Sequence, residues 1–264
     1  MSHHNDNPAG RLLSVLTVLC DMEGDRSALD ALLEIFGVNN DPQLAESLAS
    51  LVRLPDEAAD QIREMDLTSG PYLQWVGAVR DALSSLLFEN GNIDTFKAHC
   101  GSNSLVSLEF CSDQLHRHHP ERTIVHEHIS QIKEALLALR KEVHKADDID
   151  PEVRAFLLYH IGVMERGVRD VPLAGSASLD AAYDQMRGAF ARRADLVVKI
   201  DTNSSIWAKL RDLIATASAA CVITSAHMAL PAPVRDLLEG RPAAIPVQVA
   251  HGHHETDRSA GSAR

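Results

Sequence analysis

The apolar residues Val125, Ile129, Ile132, Leu136, Leu139 and Val143 follow one another in alternating steps of four and three. A strand cannot use that spacing, because its side chains change face at every residue. On a helix it lines one face. Similar periodicity recurs along most of the chain, with no sustained alternation of period two. The fold class that follows is all-α. Aromatic residues are only 4 % of a composition that is 45 % hydrophobic. The core must then be Leu, Val, Ile and Ala, which suits helices packed on helices. We expect a multi-helix bundle of about ten helices.

Helix boundaries are written in caps and prolines. Leu12, Leu16, Leu19 and Met22 outline a first amphipathic helix. "SALDALLEIFG" is a second, stopped by Gly37. "DPQLAESLASLVRL" starts with Asp41 as cap and Pro42 at its first position, and "PDEAADQIREM" begins anew at Pro55. "GPYLQWVGAVRDALSSLLF" reads as one long helix and "NIDTFKAHC" as a short one. "SLVSLEFCSDQLHRHH" runs to Pro120, after which "PERTIVHEHISQIKEALLALRKEVHK" starts at once. Asp150 and Pro151 open "DIDPEVRAFLLYHIGVMERGVRD". "SASLDAAYDQMRGAFARR", "SSIWAKLRDLIATASAACVITSAHMAL" and "APVRDLLEG" complete the set. Glycine, Asn and Ser cluster between Asn90 and Ser104, and a boundary there gives lobes of 1–90 and 102–239. Residues 240–264 lack periodicity and read as a loose tail.

The 264 residues carry a net charge of −12. Phosphate backbones demand the opposite sign, so the balance argues against a nucleic-acid partner. The densest basic stretch, "RGAFARR" (Arg187, Arg192, Arg193), reads as a solvated helix end that complements the dipole. The cysteines, Cys20, Cys100, Cys111 and Cys221, show no C-x-x-C spacing and read as small buried hydrophobes. A reducing, cytoplasmic setting fits them. "RLLSVLTVLC" is followed by "DMEGD" without a small-residue cleavage pattern, and Leu19 is too large for a lipobox. Leu213 to Leu230 is the one stretch that a membrane could take, from its inner face. Asp212, His227 and the abundance of Ala, Ser and Thr favour burial in protein.

"HRHHPERTIVHEHIS" places five histidines in fifteen positions. His119, His126 and His128 are the candidate metal cluster, meeting across a hairpin tip. His126 and His128 stand about 200° apart on a helix, however, and the i, i+4 spacing of helical zinc sites is missing. No metal or other cofactor is therefore expected, and the segment reads as a hairpin tip. Phosphate-loop, Rossmann, G-x-S-x-G and H-E-x-x-H patterns are absent. "RAFLLYH", Arg154 to His160, resembles the R-x(4–6)-H motif of HEPN ribonucleases, in which Arg and His from two protomers cleave RNA. The resemblance implies Arg154 and His160 as a catalytic pair. "RTIVHEH" matches equally well, and chance placement predicts about three such matches. The residues themselves read as a solvated first-turn Arg154 and a half-buried His160.

The leading expectation is thus a non-enzymatic interaction or regulatory module, acting through protein–protein contacts or self-association. Its candidate surface is the stripe Val125, Ile129, Ile132, Leu136, Leu139 and Val143. A membrane-associated helical protein using 206–230, and an HEPN-like ribonuclease, are the alternatives.

Overall fold

The computed structural model describes residues 4–38, 41–65, 70–88, 92–202, 204–221 and 237. Among them it forms eleven α-helices, one 3-10 turn and no strand. The helices are α1 (Pro8–Asp21), α2 (Ala28–Phe36), α3 (Asp41–Glu64), α4 (Trp75–Phe88), α5 (Ile93–His99) and α6 (Ser102–His118). They continue with α7 (His126–Lys145), α8 (Pro151–Ala174), α9 (Ser176–Arg192), α10 (Ala194–Val197) and α11 (Ser205–Ala220). The fold is the expected all-α multi-helix bundle.

Local chemistry sets most ends. Asn7, Asn92, Asp150 and Ser204 each accept a hydrogen bond from a first-turn N–H. Those donors would otherwise be orphaned. Gly37 ends α2 in the left-handed conformation at φ +61°, which other residues adopt only at a cost. Two prolines behave differently from the sequence expectation. Pro55 lies inside α3 rather than between two helices. It is buried, and Leu51, Leu54, Ala58, Ala59 and Ile62 keep one apolar face continuous across it. That burial outweighs a proline penalty of about 3 kcal/mol. Pro172 likewise sits within α8.

Buried side chains gather in two clusters. The first is built from α1 to α6 around α1, with Leu12, Leu16 and Leu19 fully enclosed, and it takes in Leu173 from α8. The second is built from α7 to α11, with Ile132, Leu139, Leu179 and Leu213 at its centre and Leu237 added. In chain order the two clusters change over between Leu115 and Ile129, with α5 and α6 packed on α1 and α4. Each core holds one of the two tryptophans, Trp75 and Trp207.

Two further differences concern the second half. The Pro120 helix does not start at once: α7 begins at His126, and Val125 is extended at ψ 135°. The expected helix 204–230 is described as far as Ala220, with Cys221 as its cap. The rest of Leu213–Leu230, the tail 240–264 and "APVRDLLEG" apart from Leu237 lie outside the described residues. Among the described residues no helix is long and apolar enough to cross a membrane.

The α8–α9 hairpin turns on close backbone approach. A Cβ at Gly167 would fall 2.5 Å from the Ala182 Cβ and 3.0 Å from the Ser178 carbonyl oxygen. Gly162, on the same helix, faces only the end of Arg166 at 3.7 Å. Gly167→Ala is therefore expected to destabilise by about 1–3 kcal/mol through overpacking. Gly162→Ala should be neutral or stabilising by up to about 1 kcal/mol. Chemical denaturation of the two variants checks the contrast.

Candidate functional site

The segment between the two cores is a strap. In an extended chain neighbouring side chains point to opposite sides. Glu121 and Arg122 use this to face different lobes. Glu121 accepts from Arg11 of α1 through both carboxylate oxygens, and from Gln61 Nε2 of α3 at 3.3 Å. Its N–H donates to the Asp6 carbonyl at 2.6 Å. Arg122 binds the Asp180 carboxylate of α9 in bidentate fashion, at 2.6 and 2.7 Å, and donates to the Ala220 carbonyl at the end of α11. These bonds hold 121–122 out of the helix that the sequence led us to expect.

Arg11 is only 3 % exposed, which is exceptional for a charged residue. Its Nε donates to the Leu173 carbonyl at 2.9 Å, one of the last-turn carbonyls of α8 that lacks a helical partner. Gly175, at φ +67°, makes room: a Cβ there would lie 2.9 Å from both the Arg11 guanidinium and the Glu121 carboxylate. A second bond across the lobes joins Arg169 of α8 to Glu46 of α3 at 2.5 Å.

This joint leaves a cleft of about 780 Å³ beside it. One wall is the end of α2, with Ile35, Phe36 and Val38. The other is α7 and α8, with Ile129, Leu136, Leu137, Val168 and Val171. Leu137 is 67 % exposed at the rim. Arg11, Arg122, Lys133 and Arg169 line it, against Glu34 and Glu165. Both acids are already paired, Glu34 with Arg26 and Glu165 with Arg140. Lys133 makes no ion pair among the described residues. The arrangement can grip an apolar surface that carries negative charge. Its volume is in the range of ligand-binding clefts generally.

The six stripe residues have divided roles. Ile129, Ile132, Leu136, Leu139 and Val143 are buried in the second core, where α7 packs on α8 and α11. Val125, expected in the same row, is 62 % exposed, because it precedes the helix. The histidines are dispersed too. His119 caps α6 and is exposed, His126 lies at the cleft mouth, and His128 is half-buried outside the lining. Among the described residues the group of potential metal ligands is instead His4, Asp6 and His116. Of the basic stretch, Arg193 pairs with Glu152 and Asp195, and Arg187 lies over the Tyr183 ring.

Arg154 and His160 have unlike surroundings. Arg154 donates to the Ala146 carbonyl and so caps α7. His160 is 5 % exposed, more buried than expected, and is enclosed by the rings of Phe156, Tyr159 and Phe190. Its Nδ1 has no hydrogen-bond partner. Burial, and secondarily the charge of Arg192, push its pKa below the usual histidine value.

Nothing in the sequence reading pointed to Arg11, Glu121 or the cleft. The lone arginine just ahead of "LLSVLTVL" is the signal that could have done so, since a charge in a helix apolar on most sides needs a buried partner.

Two outcomes are expected. Arg11→Met strands the Glu121 carboxylate and should cost about 3–5 kcal/mol. Arg11→Met combined with Glu121→Met should cost less than the single change. Denaturation followed in Trp75→Phe and Trp207→Phe backgrounds, one reporter per core, measures both. For His160, the folded state favours the neutral ring. The stability that this contributes is complete above the unfolded pKa of about 6.5 and is lost as the pH falls through it toward the lower folded value. His160→Leu should therefore flatten the fall of Tm between roughly pH 7.5 and 5.5.

No protein-family model, curated protein or solved structure matches this chain.

Proposed function

We propose that the chain is a protein-interaction module whose working surface is the cleft between the lobes. Its occupant is a segment of a partner protein that presents apolar side chains flanked by Asp or Glu. The observation that carries this reading is the pairing within the lining. Apolar rows from α2 and from α7–α8 line one cleft, and of its four cations Arg11, Arg122 and Arg169 are paired with acids while Lys133 makes no ion pair among the described residues. The two acids in the lining are held by arginines, which leaves the ammonium of Lys133 available. Apolar contact would supply affinity, and the cations would set orientation and on-rate. The α7 stripe contributes indirectly: Ile129 and Leu136 form part of the lining while their bulk is spent on the core.

A library of displayed peptides, selected on the full chain, tests the proposal. Selected peptides should combine apolar residues with Asp or Glu. Their binding should weaken with salt and with Lys133→Glu, and should fall at least tenfold with Leu137→Glu. Leu137 is exposed, so that change should leave the fold intact. Enrichment of basic peptides, or binding indifferent to Leu137→Glu and Lys133→Glu, would overturn the reading, as would failure to enrich any sequence.

A further inference from the structure

Away from the cleft, the chain just ahead of α1 lies across the end of α6. His4 and His116 stack there, with ring centroids 3.8 Å apart and planes within 10°. His116 Nδ1 is 2.6 Å from Asp6 Oδ2, and His4 Nε2 is 3.4 Å from Asp113 Oδ1. One ligand atom each from His4, Asp6 and His116 can be chosen so that all lie within 4.8 Å of one another. We propose that His4, Asp6 and His116 bind a divalent transition-metal ion of the zinc class, which staples residues 4–6 to the end of α6.

The donor set suits that ion. Two borderline imidazoles with one hard carboxylate make a set that zinc, nickel and copper accept, and the two nitrogen ligands are ones that magnesium and calcium do not favour. Three protein ligands leave a fourth position for water or for the Asp113 carboxylate. Tetrahedral zinc holds its ligand atoms about 3.3–3.5 Å apart, so the His116–Asp6 pair at 2.6 Å must open while the wider separations, up to 4.8 Å, must close. Parallel stacked rings cannot both aim in-plane lone pairs at one ion. One ring must turn, and His4 is free to do so, since it lies outside any helix with its side chain 38 % exposed. The ion would take the place of the proton shared between His116 Nδ1 and Asp6 Oδ2.

The backbone that carries the ligands is already in position. Asn7 is fully buried, and its Nδ2 reaches the His4 carbonyl at 3.2 Å, Asp6 Oδ1 at 3.1 Å and the Ser112 carbonyl at 3.2 Å. The His4 carbonyl oxygen sits where a Cβ on Gly10 would be, 1.8 Å from its ideal position. Asp6 and His116 are 110 residues apart in sequence, so the ligands converge only in the folded chain. An ion bound there stabilises the native state by mass action. Because the Asp6 carbonyl also accepts from the Glu121 N–H, the same ion would tighten the strap between the lobes.

Untagged full-length chain, stripped with chelator and then titrated with Zn²⁺ by calorimetry and with Co²⁺ by visible absorption, tests this. The expected result is one equivalent per chain at this site and a Tm higher by about 5–10 °C at a hundredfold excess over Kd. His116→Gln and His4→Ala, each checked for folding by circular dichroism, should each weaken that site at least tenfold and, at the same metal concentration, cut the Tm rise to about half or less. A His119→Gln, His126→Gln, His128→Gln triple variant should keep both. Absence of saturable binding by the parent chain would overturn the proposal. So would binding that survives His4→Ala and His116→Gln but is lost in the triple variant. Should His116→Gln unfold, His4→Ala decides the matter alone, because its residue lies outside the helices.

Discussion

The buried guanidinium of Arg11 is the constraint on which the arrangement of the two cores depends. A charge removed from water costs several kcal/mol unless its donors are met with good geometry. Here they are met from two places, the strap through Glu121 and the end of α8 through the Leu173 carbonyl, while Gln61 of α3 donates to the same carboxylate. Such a pair need add little net stability, since well-packed apolar residues can replace it. Its effect is on placement. The Leu173 carbonyl ties the end of α8 to the guanidinium on α1, and Gly175 leaves the space for it.

The cleft is a consequence of that placement. α2 ends at Gly37, and α7 starts late because 120–125 is spent on the strap. Between those two ends the apolar residues of α2 and of α7–α8 line the cleft. The ion pairs that fix the joint occupy Arg11, Arg122 and Arg169, and the lining cation that makes no ion pair among the described residues is Lys133. The N-terminal segment belongs to this system as well. Asp6 supports Glu121 through its carbonyl and meets His116 through its carboxylate, which connects the histidine cluster to the joint through one residue.

Much of the helical layout is legible in the sequence because its signals are local. The α7 stripe, the Asp150–Pro151 start of α8 and the Gly37 stop of α2 are all decided within a turn or two. Pro55 misleads for the same reason: locally a proline ends a helix, and only the burial of Leu51 to Ile62 on one continuous face carries α3 through it. From Ile129 to Val143 the stripe is an apolar helix face, as its spacing says. What periodicity cannot tell is whether that face meets a partner or this chain's own α8 and α11. The histidine-rich segment stands out as a unit in the sequence, yet its members separate, and His116 finds its neighbours beyond α1.

The sequence by itself determined the secondary-structure class, most helix ends and which residues are apolar enough to be buried. These follow from 3.6-residue periodicity, capping chemistry and composition, whose range is a few residues. Only the tertiary structure decided where the cores part, that Arg11 meets Glu121, that a cleft opens between α2 and α7–α8, and that His4 and Asp6 join His116. The Arg11–Glu121 and Asp6–His116 contacts each span 110 residues. No spacing rule reaches that far, because such contacts are selected by the packing of whole helices and by the need to satisfy charge once it is buried.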